Sequence, residues 1–584
     1  MMKVIPTKAA LLAMSLLVAS CSQQHLPASQ SRVVGDSETA YQTIQLKNDE
    51  RNWWDNAVFY EIWPRSFYDA DGDGSGDFKG MAAKLPYLKE LGVSGIWLTP
   101  VFEAPSYHGY DFQDFYSVES DYGTMEDFEA FVKAAHEHEI KVILDLVINH
   151  ISDGHEWFKK SVAKEPGYED YFVWKQDMPK HWGKAWSDNE DNPEAVWHWS
   201  TERGEYYYGA FGASQPDVNL RNPKVVEEMN KLATFWLEKG VDGFRLDAVR
   251  YAIEDEYANG DDADQADTQA TINYWTQFTQ HVKSVNPDAM LVAEAWADMP
   301  TIGKYYDGGQ GLDSAFDFDF GYVVSGILNA GGQRSADFGS VKEGETDNTR
   351  NALWDNLKSR KATAPLSFFS PFLTNHDQNR IMHTLGDNWD KAKVAATLLM
   401  TTPGTLYLYY GEEIGLSQYT TGDDQYRRAI MQWQDNKAAG FNDTGEFWLD
   451  QGQWFPWVEN HQPWWSDYWQ SQRAGKKASV DVQAADPDSL LNHYKQLLEI
   501  RNEQPALQFP EEIRYFPVDN LDVWVVQNVK EGQTRLTLVN LNTNVDVSFT
   551  VPESLRGEYS DLLSGVKIML TDRFTLKSGQ SLIL

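Results

Sequence analysis

From Trp53 to about residue 410, short apolar runs alternate with longer segments in which apolar residues recur every three or four positions. A short apolar run indicates a buried strand, and the longer period indicates an amphipathic helix. The predicted strands are residues 58–63, 95–98, 142–146, 243–246, 290–293, 312–316, 372–374 and 405–409. Helices are predicted between them, among others at residues 125–138, 225–239, 271–282 and 391–400. This alternation is typical of βα units around a parallel sheet.

The number of strands selects the fold class. Eight strands separated by helices predict an α/β protein with a (β/α)8 TIM barrel, which we assign to residues 53–503. The alternative is an open, doubly wound sheet, which would carry a glycine-rich phosphate-binding turn after its first strand. No such turn follows residues 58–63, so the barrel is the better prediction.

Two regions depart from the βα repeat. Residues 151–222 are too long for an ordinary βα connection and carry six tryptophans, so we predict a subdomain inserted after the third strand. Beyond the barrel, short alternating runs at residues 523–527, 534–540 and 545–551 predict a C-terminal antiparallel β-sandwich over residues 504–584.

Residues 1–20 are predicted to be a lipoprotein signal peptide. A basic start and a short apolar segment lead into Cys21, the only cysteine, so no intrachain disulfide is possible. The residues before Cys21 resemble a bacterial lipobox, in which the cysteine is lipidated and becomes the first residue of the mature chain. An ordinary cleaved signal with an incidental cysteine is the alternative. Residues 21–52 are polar and are predicted to be a flexible tether.

This N-terminus predicts a protein of the bacterial cell envelope that touches the membrane only through its lipid anchor. Ser22 follows the cysteine, which in Gram-negative lipoproteins fits sorting to the outer membrane. The apolar segment before Cys21 is too short to span a bilayer as a helix.

Composition narrows the class of ligand. The 50 Lys and Arg residues against 87 Asp and Glu residues give a net charge of −37, which argues against nucleic acid and anionic membrane surfaces as partners. Aromatic residues make up 14% of the chain and include 23 tryptophans. Their flat rings suit the apolar faces of sugars.

Charged residues stand at the ends of four predicted strands. At the fourth, Arg245 and Asp247 are two residues apart and so share a face, which at the mouth of a barrel points into the pocket. A guanidinium beside a carboxylate favours its ionised form and fixes its rotamer, as a nucleophile requires. A structural ion pair is the alternative for these two residues taken alone.

The other strand ends carry His150, Glu294 and the pair His376 and Asp377. Polar groups at the tips of separate parallel strands converge on one pocket. Three carboxylates with two histidines and an arginine suit glycoside hydrolysis, which needs one ionised carboxylate and one protonated carboxyl group.

These blocks, in this order, resemble the signature regions of the α-amylase family, glycoside hydrolase family 13, over nearly all of residues 53–584. The resemblance implies a retaining double displacement in which Asp247 is the nucleophile and Glu294 the acid/base. Asp377 would be the third carboxylate, which orients the hydroxyls of the sugar. Apolar walls around Trp296 are expected to keep Glu294 protonated enough to donate.

The resemblance also implies a substrate-binding set. Arg245 would hold the nucleophile, and Tyr110 would stack on the sugar. His150 and His376 would donate to sugar hydroxyls as neutral imidazoles. The complete predicted set is His108, Tyr110, Asp111, His150, Arg245, His376 and Arg380.

An acidic loop after the first strand predicts a Ca²⁺ site. Oxygen ligands at alternate positions with a glycine at the sixth resemble the first half of an EF-hand, but Gly80 at the twelfth position excludes a true one. Family members of the oligo-1,6-glucosidase type carry such a loop, which implies the carboxylates of Asp69, Asp71, Asp73 and Asp77 and the carbonyl of Ser75 as ligands. A solvated acidic turn is the alternative. A second Ca²⁺ near Asn149 is left open.

Two blocks point to different members of the family. Residues 215–219 resemble oligo-1,6-glucosidases and α-glucosidases, whereas residues 107–110 resemble α-amylases. Such mixtures occur in an intermediate group of α-amylases, so the leading hypothesis is a monomeric enzyme that cleaves α-1,4 bonds of starch and maltooligosaccharides. Alternatives are an exo-acting α-glucosidase or oligo-1,6-glucosidase, a cyclodextrin- or pullulan-cleaving enzyme and a transglycosylase.

Two non-enzymatic classes are weighed as well: a glycan-binding surface lipoprotein without catalysis, and an accessory subunit of a transporter. The intact carboxylates Asp247, Glu294 and Asp377 argue against both, because neither function needs all three.

Overall fold

The structure, a computed structural model, describes residues 41–46, 52–180, 182–184, 192–255, 264–329, 350–419, 424–455, 465 and 478–584. Cys21, the predicted signal peptide and most of the predicted tether lie outside these residues. Within the described ranges, no helix has the length and apolar character needed to cross a membrane.

The described chain folds into short strands and helices. The strands are β1 (Gln42–Gln45), β2 (Val58–Ile62), β3 (Gly95–Leu98), β4 (Phe102–Glu103), β5 (Asp114–Val118), β6 (Lys141–Leu146), β7 (Trp174–Lys175), β8 (Trp197–Ser200), β9 (Glu205–Tyr208), β10 (Gly243–Leu246), β11 (Met290–Ala293), β12 (Ser314–Asp317), β13 (Phe369–Pro371), β14 (Leu406–Tyr409), β15 (Glu512–Tyr515), β16 (Val523–Lys530), β17 (Gln533–Asn540), β18 (Val547–Thr550), β19 (Gly557–Ser560), β20 (Lys567–Leu570), β21 (Arg573–Leu576) and β22 (Ser581–Ile583). The α-helices are α1 (Pro64–Phe67), α2 (Phe78–Ala83), α3 (Leu85–Leu91), α4 (Met125–Glu137), α5 (Glu156–Val162), α6 (Pro223–Glu238), α7 (Gln269–Val285), α8 (Met299–Ile302), α9 (Phe318–Leu328), α10 (Arg350–Thr363), α11 (Ile381–Thr384), α12 (Trp389–Thr401), α13 (Val480–Ala484), α14 (Leu490–Glu503) and α15 (Pro505–Gln508).

Eight parallel strands form the central sheet, in the order β13-β12-β11-β10-β6-β3-β2-β14. A bridge between Phe372 and Tyr407 joins the two ends of this order, so the sheet is a nearly closed barrel. Helices between the strands bury one face each, and α4 begins at a capping box formed by Thr124 and Asp127. The predicted (β/α)8 barrel is confirmed.

The barrel interior is an aromatic core covered by a polar layer. Phe59, Trp97, Phe316 and Tyr407 belong to one buried cluster, in which Phe59 and Tyr407 stack with ring centroids 4.8 Å apart. Because side chains alternate with a period of two, the residue two positions beyond Phe59 also points inward. That residue is Glu61, so the aromatic core is the floor of a polar pocket at the carboxyl ends of the strands.

Gly243 allows two strands of this pocket to approach each other. Its φ is +149°, and a Cβ atom there would lie 2.0 Å from the carbonyl oxygen of Met290 in β11. No side chain fits at that distance. The glycine therefore holds β10, which carries Arg245 two residues later, close against β11.

The predicted insertion after the third barrel strand is present. Between β6 and α6 the chain forms α5 and a three-stranded antiparallel sheet in the order β7-β9-β8. A bridge between His150 and Asp217 joins the insertion to the chain just after β6. The insertion therefore lies at the carboxyl end of β6, beside the polar pocket.

The C-terminal region is an antiparallel β-domain, as predicted. A five-stranded sheet in the order β1-β15-β16-β17-β22 faces the pairs β18-β21 and β19-β20 across one apolar cluster. The prediction that the tether is unstructured as far as residue 52 is wrong for β1. Ile44 is buried and β1 pairs with β15, because the alternating apolar and polar residues of this segment suit an edge strand.

The seventh barrel strand differs from its prediction at residues 372–374. It is β13, three residues earlier, and it pairs with β12 up to the contact between Pro371 and Asp317. Proline has no backbone N–H to continue the ladder, and the chain leaves the sheet after a single further bridge at Phe372.

Candidate active site at the carboxyl ends of the barrel strands

The centre of the candidate site is the fully buried guanidinium of Arg245. Its Nη1 lies 2.8 Å from Asp145 Oδ1 and 2.5 Å from Asp247 Oδ1, and its Nη2 lies 3.1 Å from Glu294 Oε2. Arg245 and Asp145 are register partners in neighbouring strands, which explains their pairing. One arginine thus holds carboxylates from three consecutive barrel strands, including the predicted nucleophile and acid/base.

Two carboxyl groups of this cluster can hold a proton near neutral pH: Asp145, whose pKa burial raises to about 7 and which is inaccessible to solvent, and Glu294, which is 15% accessible. Burial raises the pKa of Glu294 to about 7, although the Arg245 guanidinium acts in the opposite direction. Glu294 Oε2 accepts a hydrogen bond from the backbone N–H of Ala248 at 3.0 Å, which fixes its position. Two residues further on, Trp296 stacks on Phe318 with ring centroids 4.4 Å apart, in the region expected to be an apolar wall.

His376 lies between two carboxylates. Its Nδ1 is 2.6 Å from Glu61 Oε1 and its Nε2 is 3.1 Å from Asp377 Oδ2. Burial by itself lowers the pKa of His376, but the two carboxylates outweigh burial and raise it to about 10. The expected neutral form of His376 is therefore wrong, because the sequence analysis did not include Glu61.

Asp377 is the most exposed of the three predicted carboxylates, at 33% against 10% for Asp247 and 15% for Glu294. Burial raises the pKa of Asp377, but the His376 cation and the guanidinium of Arg428 together hold it well below its usual range. Arg428 Nη2 lies 3.2 Å from Asp377 Oδ1. Asp377 is thus an ionised acceptor whose geometry is fixed from two sides.

Tyr110 connects the two halves of the site. Its hydroxyl donates to Asp145 Oδ2 at 2.9 Å and lies 2.7 Å from His376 Nε2. Its ring is stacked on the His376 imidazole, with centroids 5.7 Å apart and an interplanar angle of 13°. Because the protonated imidazole can donate to the tyrosine oxygen, all three groups are satisfied by one chain of hydrogen bonds.

The imidazole of His150 can still form hydrogen bonds to a ligand. Its ring is buried, and neither ring nitrogen makes a hydrogen bond of full geometry with the described residues, although the backbone of Tyr110 lies within reach. Burial lowers the pKa of His150 to about 4, so the ring is neutral as expected. The ring lies 4.6 Å from that of Phe211 in the insertion. An unpaired buried imidazole beside the carboxylate cluster fits a hydroxyl-bearing ligand.

His108 and Asp111 lie in the loop after the second barrel strand. His108 Nδ1 is 3.9 Å from Asp111 Oδ1, and burial lowers the pKa of His108. His108 Nδ1 also accepts a hydrogen bond from the backbone N–H of Tyr110, so this pair helps to hold Tyr110 in place.

The placement of Arg380 contradicts its predicted role in substrate binding. Its side chain is buried and donates to the carbonyl oxygens of Tyr410 at 2.8 Å and Arg427 at 2.7 Å. Arg380 therefore holds the backbone of the loop after the eighth strand. The next residue of that loop, Arg428, is the arginine that reaches Asp377.

Three functional residues were missed: Glu61, Asp145 and Arg428. The first two leave a signal in the sequence, since each is an acid inside a predicted apolar strand, at an inward-facing position. Arg428 leaves none, because it lies in a loop whose path depends on the tertiary structure.

The acidic loop after β2 gathers three of the predicted calcium ligands. Carboxylate oxygens of Asp69, Asp71 and Asp77 lie within 4.8 Å of one another. Two oxygens bound to one Ca²⁺, each at about 2.4 Å, are at most about 4.8 Å apart, so the group fits one ion. Asp73 instead accepts a hydrogen bond from the N–H of Ser75 at 2.8 Å and lies outside this group.

The raised pKa values of two aspartates show that negative charge is unfavourable in this loop. Burial is the main cause that raises the pKa of Asp69 and Asp77, and Asp71 adds to it. A divalent cation would remove this repulsion, whereas the solvated acidic turn would not. At the second suggested site, the Asn149 amide donates to Asp217 Oδ1 at 2.6 Å and so fastens the insertion to the barrel.

Comparison with known proteins gives one consistent result. Residues 61–509 match the family described as "Alpha amylase, catalytic domain". The chain is 36% identical to "Alpha-amylase 3" of Dictyoglomus thermophilum over 78% of this chain and 79% of that protein. It is 31% identical to an oligo-1,6-glucosidase of Parageobacillus thermoglucosidasius, over 79% and 85% respectively. The solved α-amylase of H. orenii superposes with a TM-score of 0.72 at 32% identity, covering 91% of this chain and 99% of that one.

Chelation tests the acidic loop. If the loop binds Ca²⁺, the ion stabilises the folded state by about 2.7 kcal/mol when present at roughly 100 times its Kd, so EDTA is expected to lower Tm. The matched variant is Asp71→Asn, because Asp71 is exposed and caps no helix, unlike Asp77. We expect Asp71→Asn to fold, to have a lower Tm in Ca²⁺ and to lose most of the EDTA effect. Equal Tm values for the wild-type protein with Ca²⁺ and with EDTA would show that the loop is a solvated turn.

Proposed function

The chain belongs to the α-amylase catalytic-domain family, glycoside hydrolase family 13, and we propose that within it the protein is an endo-acting α-amylase. Hydrolysis of α-glucans is the activity common to the α-amylase and the oligo-1,6-glucosidase to which the chain is similar. The proposal adds the bond and the mode of attack: internal α-1,4 bonds of starch and maltooligosaccharides, cleaved with retention. Two features of the sequence support this proposal: the mixture of α-amylase and oligo-1,6-glucosidase motifs, and the α-amylase-like residues 107–110.

The observation that carries the proposal is the different environment of two accessible carboxyl groups around one arginine. Asp247 is paired with Arg245 at 2.5 Å, whereas the pKa of Glu294 is raised by burial to about 7. A retaining glycosidase needs this pair: an ionised nucleophile and a carboxyl group that carries a proton. A protein that only binds glycans has no need to hold a proton in this position.

The reaction follows from these positions. Glu294 donates its proton to the glycosidic oxygen while Asp247 attacks the anomeric carbon, which breaks the C–O bond and forms a covalent glycosyl-enzyme. Glu294, now ionised, takes a proton from water, and the water oxygen displaces Asp247 from the same carbon. Both displacements invert the anomeric centre, so the product keeps its configuration. The backbone N–H of Ala248 holds Glu294 throughout.

The remaining groups bind the sugar. Asp377, held by His376 and Arg428, accepts hydrogen bonds from ring hydroxyls. The two N–H groups of the His376 imidazolium are directed at Glu61, Tyr110 and Asp377, so His376 positions Asp377. The neutral His150 can both donate to a sugar hydroxyl and accept from one. The Tyr110 ring offers a flat face for the sugar.

Tyr107 supports an endo-acting enzyme. Exo-acting members of the family usually carry an aspartate near this position, which closes the pocket behind one sugar. Here a tyrosine stacks on Trp448 with ring centroids 5.2 Å apart, and Arg428 Nη1 donates to its hydroxyl at 3.4 Å. Tyr107 is buried, so its position carries no carboxylate that could close the pocket behind one sugar.

An exo-acting α-glucosidase is the second candidate. Residues 215–219 favour it, and so does the similarity to an oligo-1,6-glucosidase. In the structure, Gln215 Nε2 donates to the carbonyl oxygen of Tyr110 at 3.5 Å. The block that resembles α-glucosidases therefore touches the block that resembles α-amylases, and both shape one wall of the pocket.

Ca²⁺ is the cofactor of this proposal. Asp69, Asp71 and Asp77 would hold it, with Asp73 and the Ser75 carbonyl as further predicted ligands. When bound, the ion supplies positive charge that stabilises the loop, and the catalytic groups act without it.

A product time course decides between the two candidates. On soluble starch we expect a rapid loss of viscosity and a mixture of maltooligosaccharides, with little release of p-nitrophenol from p-nitrophenyl α-glucoside. Asp247→Asn is the matched control, since it replaces one oxygen of the buried cluster by nitrogen at nearly unchanged size. It should lower kcat by a factor on the order of 10⁴ or more. Glucose as the first product, with fast cleavage of the glucoside, would assign the protein to the α-glucosidases.

The pH profile tests the role of Glu294. Its acid form must be present for the first step, so kcat/KM on a maltooligosaccharide is expected to fall about tenfold per pH unit above about pH 7. A maltosyl fluoride substrate needs no proton on its leaving group, so the alkaline decline of this first step should be weaker. Glu294→Gln should retain part of its activity on the fluoride and almost none on the maltooligosaccharide. Equal losses on both substrates would show that Glu294 is not the proton donor.

The lipid anchor is also proposed, with attachment at Cys21 and residence in the bacterial outer membrane. In a Gram-negative host we expect the full-length protein to be labelled by palmitate and to sediment with membranes. Cys21→Ser lacks the thiol and should remain unlabelled, whereas Ser22→Ala should still be labelled. An unlabelled wild-type protein that is released from membranes would favour the ordinary cleaved signal.

A further inference from the structure

Trp199 is exposed to a degree that packing does not explain. Its side chain is 52% accessible, and no other tryptophan among the described residues is as exposed. It lies in β8, directly opposite Tyr206 in β9, and the two rings are 4.8 Å apart at an interplanar angle of 64°. An exposed indole, with a half-buried phenol ring beside it, thus lies at the outer end of the inserted sheet.

The two faces of this sheet have different environments. Trp174 and Tyr207 are on one face and belong to the main core, where Trp174 stacks on Phe158 with centroids 5.7 Å apart. Trp199 and Tyr206 are on the other face, because strand side chains alternate. Packing therefore accounts for the first pair and for part of the Tyr206 ring, which contacts the small cluster around Trp197, but it leaves Trp199 exposed.

Trp199 and Tyr206 continue a line of aromatic rings that leads to the candidate active site. On the same face, Trp197 and Tyr208 are register partners with centroids 5.2 Å apart, and they form a small buried cluster together with Trp182. Phe211 packs against this cluster and lies 4.6 Å from the ring of His150. The aromatic face therefore runs from the sugar-binding histidine to the outer end of the hairpin.

The hairpin that presents the pair is rigidly held. Arg203 lies in the turn between β8 and β9. Its guanidinium stacks on Trp174 at 4.1 Å and pairs with Glu205 at 2.5 Å. It also donates to the carbonyl oxygen of Glu169 at 3.0 Å. A fixed aromatic surface loses little conformational entropy when it binds a ligand.

From these observations we propose that Trp199 and Tyr206 form a second α-glucan-binding site, which holds a distant part of a polysaccharide chain whose cleaved bond lies at Asp247. The inference rests on the proposed function. A neutral polyol fits because its apolar ring face stacks on indole and phenol rings, whereas the net charge of −37 disfavours an anionic ligand.

The site makes the effect of Trp199 depend on the length of the substrate. Soluble starch reaches both sites, whereas maltotriose occupies only the catalytic one. For Trp199→Ala we expect kcat/KM to fall about fivefold on soluble starch, as the loss of one aromatic stacking contact predicts, and to be unchanged on maltotriose. Trp199→Phe should retain most of the activity on starch.

Binding can be measured without turnover in an Asp247→Asn background. In native gels that contain soluble starch, retardation should weaken on adding Trp199→Ala or Tyr206→Ala. Tyr116→Ala is the matched control, since Tyr116 is also exposed, at 39%, but packs on Phe235 away from this sheet. Trp199→Ala and Tyr116→Ala should leave the Tm of the Asp247→Asn protein unchanged, because an exposed ring contributes little to stability.

Each outcome is decisive. Equal loss on starch and maltotriose would make Trp199 part of the catalytic cleft or of the fold, and would overturn the inference. Unchanged binding and turnover on starch would also overturn it. A wild-type protein that neither binds nor cleaves starch would instead refute the proposed function.

Discussion

The structure of the site depends on one buried arginine. Arg245 is inaccessible to solvent and meets the carboxylates of Asp145, Asp247 and Glu294. One positive charge cannot balance three negative charges in a medium of low dielectric, and a buried ion left without its partner costs about 3–5 kcal/mol. Burial raises the pKa of both Asp145 and Glu294 to about 7, so a proton held by either group reduces the excess negative charge. Asp145 is inaccessible, whereas Glu294 is 15% accessible, so Glu294 is the group of the two that can donate a proton to a substrate.

The same balance determines the state of His376. Glu61 and Asp377 lie on opposite sides of its ring and raise its pKa to about 10, against the effect of burial. The resulting cation lowers the pKa of Asp377 in return. His150 lies in the same pocket without a neighbouring carboxylate as a hydrogen-bond partner, and its pKa is lowered to about 4. The two histidines of this pocket therefore differ in protonation: His376 is a cation and can only donate hydrogen bonds, whereas His150 is neutral and can donate or accept.

Aromatic residues give these charges their environment. The rings of Phe59, Trp97 and Tyr407 fill the barrel below the polar layer and exclude water from its floor. The inserted sheet adds the rings around Trp197 and brings Phe211 onto His150. The high tryptophan content of the chain thus divides into three uses: core packing, the walls of the pocket, and the exposed surface at Trp199 for which we propose a binding role.

The sequence by itself determined the barrel and the main carboxylates, since both rest on local patterns. Alternating strands and helices predict the fold, and strand ends meet at one edge, which places Arg245, Asp247, Glu294 and Asp377 together. Only the tertiary structure decided the rest. The pairing of β1 with β15 joins segments almost at opposite ends of the chain, and the charge of His376 depends on Glu61. Arg380 holds backbone carbonyls of a loop, while Arg428 of that loop contacts Asp377. Each depends on contacts between residues far apart in sequence, and local patterns along the chain do not show which distant residues meet.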